Sequence, residues 1–511
     1  MDTFALDNLP PREQWPVLLE MDYPERLNAA AELLSGPWME RPCVLAEETW
    51  TYAELRERAE RIARVLVDDM GLEPGNRVLL HGYNDPQLIA CWFGVLLAGG
   101  IAVATMPMLR AGELTKVISR ARVSHGLADA RLAGEVRAAG GLRELLTFDE
   151  LADRASAAAG FEPVATSRDD VALIAFTSGT TGEPKGCVHF HRDVLAICDT
   201  FAREILDPSP EDVFTGTAPL AFTFGLGVLV LFPMRFGASF APIAKPGMDP
   251  LVETVRRHGV TRLATAPTMY RALLRASVEL PSLRACISAG EPLPASVAQA
   301  WHEHTGIRIV DGIGSTEMLH IFIASRAEDA KFGSVGTPVP GYEAMVVGPD
   351  MRPVPAGEVG RLAVRGPTGC RYLADPRQTE YVVDGWNLTG DSFRMDEDGY
   401  FWFEARNDDL IVSSGYNISP FEVETALLEH DAVAECAVVA SPDEARGHVV
   451  KAFVVLPEGV GGDDALAEAL QTHVKERIAP YKYPRRVAFI DALPRTPTGK
   501  VQRNALRDRE A

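Results

Sequence analysis

Small, hydroxylated and basic residues are concentrated in one segment, TSGTTGEPKG at Thr177 to Gly186, directly after the apolar run VALIAF. Glycine lets the backbone approach a ligand closely, and successive N–H groups can then converge on an anion. The hydroxyl groups add donors, and Lys185 adds a positive charge. The segment therefore predicts a phosphate-binding loop, with a flexible surface turn as the alternative. It is not a Walker loop, because glycine rather than Ser or Thr follows the lysine.

Short apolar runs that end in small or polar residues recur along the chain and predict strands. They lie at 171–178, 261–267, 284–290 and 308–314. In open α/β sheets, ligands gather at the carboxyl ends of the strands. The loops that follow these four runs are therefore expected to line a single crevice.

Alternation of helices and strands in the first part of the chain indicates a parallel sheet covered on both faces. A helix is predicted over Thr51 to Met70, where Thr51 and Glu54 can form a capping box. Strands are predicted at 77–83 and 101–106.

The composition changes after about residue 330, where Gly, Pro and Val are frequent and predict a small antiparallel sheet or barrel. A charged stretch at 406–409 then precedes a segment of about 100 residues, which is long enough to fold separately. The elements predicted there are helices at 420–430 and 464–478 and strands at 433–440 and 449–456.

Charge and cysteine content exclude several classes of function. The 511 residues include 50 Lys and Arg against 71 Asp and Glu, a formal charge of −21. Such an acidic surface repels nucleic acid and anionic lipid, so neither is expected as a partner. The seven cysteines contain no CxxC pair and indicate a reducing compartment. The N-terminus lacks a signal-peptide pattern, so a cytoplasmic location is predicted.

One apolar run, Leu88 to Leu109, is long enough to span a bilayer. However, Gly99, Gly100 and Pro107 interrupt it, and no Lys/Arg cluster flanks it. A buried helix followed by a buried strand is the preferred interpretation, and no membrane association is expected.

Several segments in a fixed order resemble one protein family. The loop at Thr177 to Gly186 resembles the phosphate loop of the adenylate-forming superfamily, which includes acyl- and aryl-CoA synthetases, luciferases and adenylation domains. Three later segments resemble further motifs of this superfamily. They are GIGSTE (312–317), LTGDSFRMDEDGYFWFEAR (388–406) and PRTPTGKVQR (494–503). The N-terminal residues and GIGSTEMLH are most similar to benzoate- and 2-aminobenzoate-CoA ligases.

The resemblance implies an α/β fold with a large N-terminal domain at 1–407, made of two doubly wound sheets and a small β-barrel. A small, mobile α+β domain at 408–511 follows, with a hinge near Asp408. The implied reaction begins when a carboxylate attacks the α-phosphate of ATP and releases pyrophosphate. The acyl adenylate then transfers its acyl group to the thiol of coenzyme A. Because two anions must meet, the site needs preorganised positive charge.

The family's nucleotide site maps onto loops of this sequence. The phosphates are expected at Thr177, Ser178, Gly179, Thr180, Thr181, Gly182 and Lys185. Adenine is expected between two loops, one formed by Gly290, Glu291 and Pro292 and the other by Asp311, Gly312, Ile313, Gly314 and Ser315. Many relatives have an aromatic residue where Ile313 stands, so apolar contact and a hydrogen bond from adenine N6 to Asp311 are the expected substitutes.

By the same resemblance, four side chains surround the reacting phosphate and ribose. Glu317 is expected to bind Mg²⁺, which needs few protein carboxylates because phosphates and waters complete its shell. Thr316 is expected to hydrogen-bond the α-phosphate. Asp391 is expected to accept both ribose hydroxyl groups, and Arg406 to support the ribose or a phosphate. A surface carboxylate and a surface ion pair are the alternatives for Glu317 and Arg406.

Lys500 is expected to stabilise the attacking carboxylate and the α-phosphate. Since this lysine belongs to the separate C-terminal module, it can act only when that module docks in one orientation. A second orientation would serve thioester formation, with Ser414 and Gly415 lining the tunnel for the pantetheine arm.

An apolar pocket with aromatic walls is expected for the acid. By resemblance its walls include Phe222, Thr223, Phe224, Ala289, Gly312 and His320. Such walls suit a flat aryl acid, with 2-aminobenzoate as the first expectation and benzoate as the next. His320 is the candidate partner of an ortho amino or hydroxyl group, and a satisfied core histidine is the alternative.

The predicted function is therefore an AMP-forming aryl-CoA ligase that uses ATP, Mg²⁺ and coenzyme A, as a monomer or homodimer. One alternative is an adenylating enzyme that loads a carrier-protein thiol. The other is a non-catalytic nucleotide-binding protein on the same fold, although the presence of Lys500, Glu317 and Thr316 argues against it. His189 and His191 lack a third ligand, so they do not predict a metal site.

Overall fold

The first 206 residues alternate between strands and helices in a computed structural model of the protein. The structure describes residues 1–158, 160–177, 183–406, 409–413, 416–443, 447–496 and 501–509. Strands β1 to β8 are Pro42–Leu45, Thr49–Thr51, Arg77–His81, Ile101–Thr105, His125–Ala128, Glu144–Thr147, Val171–Thr177 and Lys185–Phe190. Helices α1 to α8 are Phe4–Asp7, Ala29–Leu33, Tyr52–Asp68, Pro86–Leu97, Ala111–Ala121, Ala133–Ala139, Phe148–Ser156 and His191–Ile197. Helix α8 continues as π-helical turns over Cys198–Leu206.

The first sheet has six strands in the order β6-β5-β3-β4-β7-β8. Its neighbours are parallel except for β7 and β8, which are antiparallel. In that last pair Thr177 lies opposite Lys185, so the two ends of the predicted phosphate loop are adjacent.

The second sheet is built mainly from the next segment of the chain. Strands β9 to β15 are Val213–Gly216, Ser239–Phe240, Arg262–Thr265, Ala285–Ser288, Ile309–Gly314, Ile321–Ala324 and Thr337–Pro338. Helices α9 to α13 are Thr223–Leu226, Phe232–Phe236, Met248–His258, Pro267–Arg275 and Ala295–Thr305. The nine strands follow the order β15-β14-β13-β12-β11-β9-β10-β1-β2, and the pairs from β13 to β1 are parallel. The two large sheets and the four strands predicted beside the crevice are thus confirmed.

A third, antiparallel sheet follows, as the Gly-, Pro- and Val-rich composition predicts. Strands β16 to β20 are Glu343–Val347, Gly360–Arg365, Val382–Val383, Trp386–Met395 and Phe401–Arg406, and helix α14 is Gln378–Tyr381. The order is β16-β17-β19-β18, with β20 also paired to β19, which makes a half-barrel. The β19–β20 pair places Asp391 opposite Arg406.

The C-terminal module has its own hydrophobic core. Strands β21 to β25 are Ile411–Ser413, Tyr416–Ile418, Glu435–Asp443, Gly447–Val455 and Arg486–Phe489. Helices α15 to α17 are Pro420–Leu428, Asp464–Arg477 and Arg503–Arg507. The α+β composition predicted for this part of the chain is confirmed.

Local signals near the N-terminus are also confirmed. Helix α3 begins with the capping box, in which the Thr51 hydroxyl and the Glu54 carboxylate each accept from the other residue's backbone N–H. The apolar run after Leu88 forms the buried helix α4 and strand β4, which are separated at Gly99 by a left-handed backbone φ of +72°. Across the described part of the chain, every helix falls short of the length and apolarity needed to cross a bilayer. The seven cysteines, all described, are free thiols, and six of them are buried.

Candidate active site

A lysine, a glutamate and a tyrosine meet beside the predicted phosphate loop. The Lys185 ammonium Nζ lies 3.3 Å from Glu317 Oε1 and donates to the Tyr372 hydroxyl at 2.6 Å. The Tyr372 hydroxyl donates to the same Glu317 oxygen at 2.5 Å. Glu317 and Tyr372 are buried, whereas Lys185 is half-buried at the loop's end. This places a positive charge and a carboxylate together where the triphosphate of a nucleotide is predicted to bind. Positions 178–182 of the loop lie outside the described residues.

The donor set around Glu317 fits Mg²⁺. Within the described ranges, no group of three or more His, Cys, Asp or Glu side chains forms a cage for a metal ion. Mg²⁺ does not require such a cage, because it commonly uses one or two carboxylates and completes its octahedron with substrate phosphates and waters. A single buried carboxylate next to a phosphate-loop lysine matches this requirement.

The turn that carries Thr316 and Glu317 is held in a strained, tightly packed conformation. The Ser315 hydroxyl caps it by accepting from the Met318 N–H at 3.3 Å, and it also contacts the Tyr381 hydroxyl at 3.2 Å. The following residue, Leu319, is buried with a φ of +69°, which is unfavourable for a branched side chain. A Cβ at Gly314 would lie 2.6 Å from the His320 carbonyl oxygen, so only glycine fits there.

A buried histidine supports this turn from the opposite side. His189 Nε2 lies 2.8 Å from the Thr316 carbonyl oxygen, and because a carbonyl only accepts, Nε2 is the donor. His189 Nδ1 lies 3.8 Å from Asp193 Oδ2, which also pairs with the Arg371 guanidinium at 2.9 Å. The side chains of Asp193 and Arg371 are both fully buried. The histidine is therefore part of a buried charged network behind the site.

The predicted ribose pair lies across two neighbouring strands. Arg406 Nε is 3.3 Å from Asp391 Oδ1. Gly390, the residue before Asp391, adopts a φ of +79°. Asp391 is buried, whereas the Arg406 side chain is half exposed. The structure therefore brings together the two residues that the sequence assigns to the ribose.

An unsatisfied acceptor lies in the predicted adenine loop. Asp311 is the register partner of Ser288 on the adjacent parallel strand. Burial raises the pKa of the Asp311 carboxyl to about 8, and the Ser288 hydroxyl and Gly312 N–H offset this only in part. Oδ1 of this carboxyl is buried and receives no hydrogen bond from the described residues. Such an acceptor suits an amino-group donor, as predicted for adenine N6.

The predicted acid pocket contains an aromatic enclosure around His320. The His320 ring lies 5.4 Å from Phe201, 5.7 Å from Phe224 and 4.7 Å from Phe232, measured between centroids. Its Nε2 lies 3.4 Å from the Phe224 carbonyl oxygen, and burial lowers the pKa of the imidazole to about 3. His320 Nδ1 is buried without a hydrogen-bond partner in the described part of the protein. His320 is therefore a neutral ring with one unpartnered acceptor, not the satisfied core histidine.

Asn84 fixes the loop that leads to the other predicted pocket residues. Its side-chain amide donates to the Ala218 carbonyl at 2.9 Å and accepts from the Leu220 N–H at 2.9 Å. This loop runs into α9, which starts at Thr223, so Phe222 and Phe224 are set by the same anchor. On the same helical segment, a Cβ at Gly227 would lie 2.4 Å from the His320 ring. Of the two remaining wall residues, Ala289 is buried directly after β12 and Gly312 lies within β13.

The C-terminal module touches the predicted adenine loop. Arg495 NH1 lies 3.8 Å from Glu291 Oε1, and Arg495 NH2 lies 2.9 Å from Glu435 Oε2 in its own module. Arg271 and Arg275 of α12 also donate to the Ala434 carbonyl, at 3.5 and 3.3 Å. The Arg495 contact places this part of the C-terminal module against the loop in which adenine is predicted to bind. Lys500 itself, Asp408, Ser414 and Gly415 lie outside the described residues.

Several residues of the site were not predicted from the sequence. They are Tyr372 and Tyr381 near Glu317, the supporting role of His189 with Asp193 and Arg371 behind the turn, Asn84 at the pocket loop, and Phe201 and Phe232 around His320. Tyr372 lies 55 positions from Glu317 and 187 positions from Lys185, and no periodic or motif spacing links them. The only sequence signal was the placement of His189 four positions after Lys185, and the structure shows that both lie on β8.

Two protein-family models match most of the chain. The family described as AMP-binding enzyme matches residues 36–372, and the AMP-binding enzyme C-terminal domain matches residues 422–500. The chain belongs to the AMP-binding enzyme family. The predicted superfamily membership is thereby confirmed, as is the prediction that the chain is an enzyme. The two family matches fall on either side of the predicted boundary at 408.

Individual members of the AMP-binding enzyme family are similar over almost their whole length. Benzoate–CoA ligase of Thauera aromatica is 38% identical over 512 aligned residues, which cover 95% of this chain and 96% of the relative. The crystal structure of an anthranilate CoA ligase in complex with anthranoyl-AMP has a TM-score of 0.91 at 31% identity, covering 96% of this chain and 98% of that one. A benzoate CoA ligase from Burkholderia xenovorans has a TM-score of 0.87 at 34% identity, covering 94% and 99%.

The raised pKa of Asp311 predicts a characteristic pH dependence of stability for this AMP-binding enzyme. Because the pKa of this carboxyl is about 8 in the folded protein, the folded state binds the proton more tightly than the unfolded state does. The group therefore contributes fully to the free energy of unfolding below about pH 4, and this contribution is lost as the pH rises to about 8. The slope is at most about 1.4 kcal/mol per pH unit. Asp311→Asn cannot titrate, so we expect urea denaturation between pH 4 and 8 to show a flatter stability curve. Equal slopes for the variant and the original protein would contradict this assignment.

Proposed function

We propose that this chain is an ATP-dependent aryl-CoA ligase that activates 2-aminobenzoate, with benzoate as the next candidate acid. The observation that carries the proposal is the aromatic enclosure around His320. A neutral His320 that donates through Nε2 keeps a lone pair on Nδ1, which is buried and lacks a partner within the described residues. An amino group ortho to the carboxylate is a donor that matches this acceptor. The similarity to benzoate- and anthranilate-CoA ligases supports the same substrate class.

The first step forms the aryl adenylate. The carboxylate oxygen of the acid attacks the α-phosphorus of ATP, and the bond to the leaving pyrophosphate breaks. Lys185 holds the terminal phosphates, and Lys500 and Thr316 stabilise charge at the α-phosphate and the attacking carboxylate. Mg²⁺ bound at Glu317 would supply further charge neutralisation for the triphosphate. Asp391 and Arg406 orient the ribose, so that the α-phosphate is held in line with the acid.

The second step transfers the acyl group to coenzyme A. The thiol of coenzyme A loses its proton to solvent and its sulfur attacks the acyl carbon. AMP leaves with the electron pair of the broken C–O bond, and a thioester results. Ser414 and Gly415 line the path of the pantetheine arm in this proposal. AMP departs from the same Asp391 and Asp311 contacts that held ATP, so a single nucleotide crevice serves both steps.

A panel of acids scored by ATP–pyrophosphate exchange tests the proposal. We expect 2-aminobenzoate and benzoate to support fast exchange, and straight-chain acids and amino acids to support little. His320→Leu should reduce the preference for 2-aminobenzoate over benzoate about tenfold, the value of one hydrogen bond in a buried site. His320→Asn, which keeps an acceptor near the Nδ1 position, is the matched control and should retain part of the preference. A preference for aliphatic acids, or adenylate that free coenzyme A does not consume, would contradict the proposal.

The boundary between the modules predicts a variant that separates the two steps. Arg406 pairs with Asp391 of the large domain, whereas Asp409 pairs with Arg507 of the C-terminal module at 3.0 Å. The hinge predicted at Asp408 falls between these two residues in sequence, and position 408 itself lies outside the described residues. Asp408→Pro restricts φ at this position, so we expect near-normal adenylation but thioester formation reduced about tenfold or more. Asp408→Ala, which leaves φ free, should retain both steps; a Pro variant with both steps intact would exclude Asp408 as the hinge.

A further inference from the structure

The segment that carries Tyr372 is fixed against the strand that carries Lys185. The Leu373 N–H donates to the Gly186 carbonyl and the Val188 N–H donates to the Arg371 carbonyl, both at 2.8 Å. The Tyr372 N–H is bound in turn by the Gln378 side-chain oxygen at 2.9 Å. These bonds hold the Tyr372 backbone on both sides, so its ring has a defined position between the lysine and the glutamate.

The Tyr372 hydroxyl forms hydrogen bonds with both Lys185 and Glu317. It accepts from Lys185 Nζ at 2.6 Å and donates its single proton to Glu317 Oε1 at 2.5 Å. Both polar contacts to Glu317 reach the same oxygen, Oε1, and no described residue donates to Oε2.

We propose that Tyr372 is a positioning residue that fixes the Glu317 carboxylate with Oε2 directed to the metal ion that accompanies the nucleotide. A carboxylate attached to a flexible side chain can rotate and present either oxygen, which weakens metal binding. A hydrogen bond to Oε1 removes that freedom, as residues behind the ligands do in many metal sites. This inference rests on the proposed function, because it requires that the chain binds ATP with a divalent cation.

Calorimetric titration with α,β-methylene-ATP, in the presence of Mg²⁺ and in the presence of EDTA, tests the proposal without turnover. The measured quantity is the factor by which Mg²⁺ tightens binding of this analogue. We expect Tyr372→Phe, which keeps the ring and removes only the hydroxyl, to reduce this factor about tenfold. Binding in EDTA should change less than about twofold, because the phosphate contacts of Lys185 remain.

Two further variants make the outcome decisive. In a Glu317→Gln background, Tyr372→Phe should cause no additional loss of the Mg²⁺ effect, because the tyrosine acts through that carboxylate. Tyr52→Phe is the matched control: it removes a buried hydroxyl that donates to the Ala238 carbonyl at 2.7 Å and contacts neither the lysine nor the glutamate, so it should leave the factor unchanged.

Equal weakening of binding with Mg²⁺ and with EDTA would overturn the proposal, because the tyrosine would then act on Lys185 or on the fold. An unchanged Mg²⁺ factor in Tyr372→Phe would overturn it as well. The ratio of two dissociation constants from one preparation does not depend on the fraction of folded protein. Failure of the unmodified chain to bind the analogue at all would instead overturn the proposed function, and this inference with it.

Discussion

Lys500→Ala should abolish adenylate formation and leave thioester formation from a supplied aryl adenylate nearly intact. Arg495, five residues earlier, lies 3.8 Å from Glu291 in the predicted adenine loop, so this part of the C-terminal module is docked on the nucleotide side. Removing one neutral hydrogen-bond donor from the site where negative charge develops lowers the rate about 10²–10³-fold. Removing the charged ammonium of Lys500 should lower it at least as much. The thiol attack needs no charge at that position, because pyrophosphate has already left.

The two half-reactions can be measured separately. ATP–pyrophosphate exchange reports adenylation, and chromatography of the thioester formed from synthetic aryl adenylate and coenzyme A reports the second step. Lys475→Ala is the matched control, since that lysine of the same module lies over the Tyr483 ring at 4.0 Å and should affect neither step. Equal loss of both half-reactions in Lys500→Ala would refute this division of labour between the two steps.

Asp193→Asn should be among the most destabilising single substitutions in the large domain. The substitution leaves the Arg371 guanidinium, which is fully buried against the Trp15 and Phe190 rings, without a counter-charge. Removing one partner of a buried ion pair costs about 3–5 kcal/mol. Urea denaturation followed by circular dichroism measures the loss. Adenylation should also slow, because Asp193 faces His189, which holds the Thr316 carbonyl.

The acid range gives an independent check on Asp193. Burial alone would raise the pKa of this carboxyl, but the Arg371 charge and His189 outweigh it and hold the pKa at about 2. The stability it contributes is therefore present above about pH 4 and lost as the pH falls towards 2. Asp193→Asn should lack this acid-dependent term. As a control, Asp398→Asn removes an exposed carboxylate that pairs with Lys331 and should leave stability within experimental error; similar losses for the two variants would contradict the prediction.

Much of the fold followed from local patterns in the chain. The capping box at Thr51 and Glu54 marks a helix start because both hydrogen bonds join residues three positions apart. Apolar runs with small residues at their ends marked β7, β11, β12 and β13, since a strand buried on both faces must be continuously apolar. The order of the motifs was sufficient to predict the family.

The chemistry predicted for the phosphate loop and for the Thr316–Glu317 segment rests on contiguous residues, so it could be inferred from the sequence alone. Glycines, hydroxyl groups and a lysine within ten positions predict an anion site. The structure places Thr177 opposite Lys185 and Asp391 opposite Arg406. The roles of these residues, like those of Lys500, Asp408, Ser414 and Gly415, remain predictions.

Only the tertiary structure shows which side chains pack against and support the motif residues. Asp193 and Arg371 are 178 positions apart, and Tyr372 is 187 positions from Lys185, so nothing in their local sequence indicates contact. The unpartnered Nδ1 of His320 likewise depends on three phenylalanine rings from other parts of the chain. The physical reason is that a buried polar group must be paired or tolerated by its surroundings, and those surroundings exist only once distant segments have packed together.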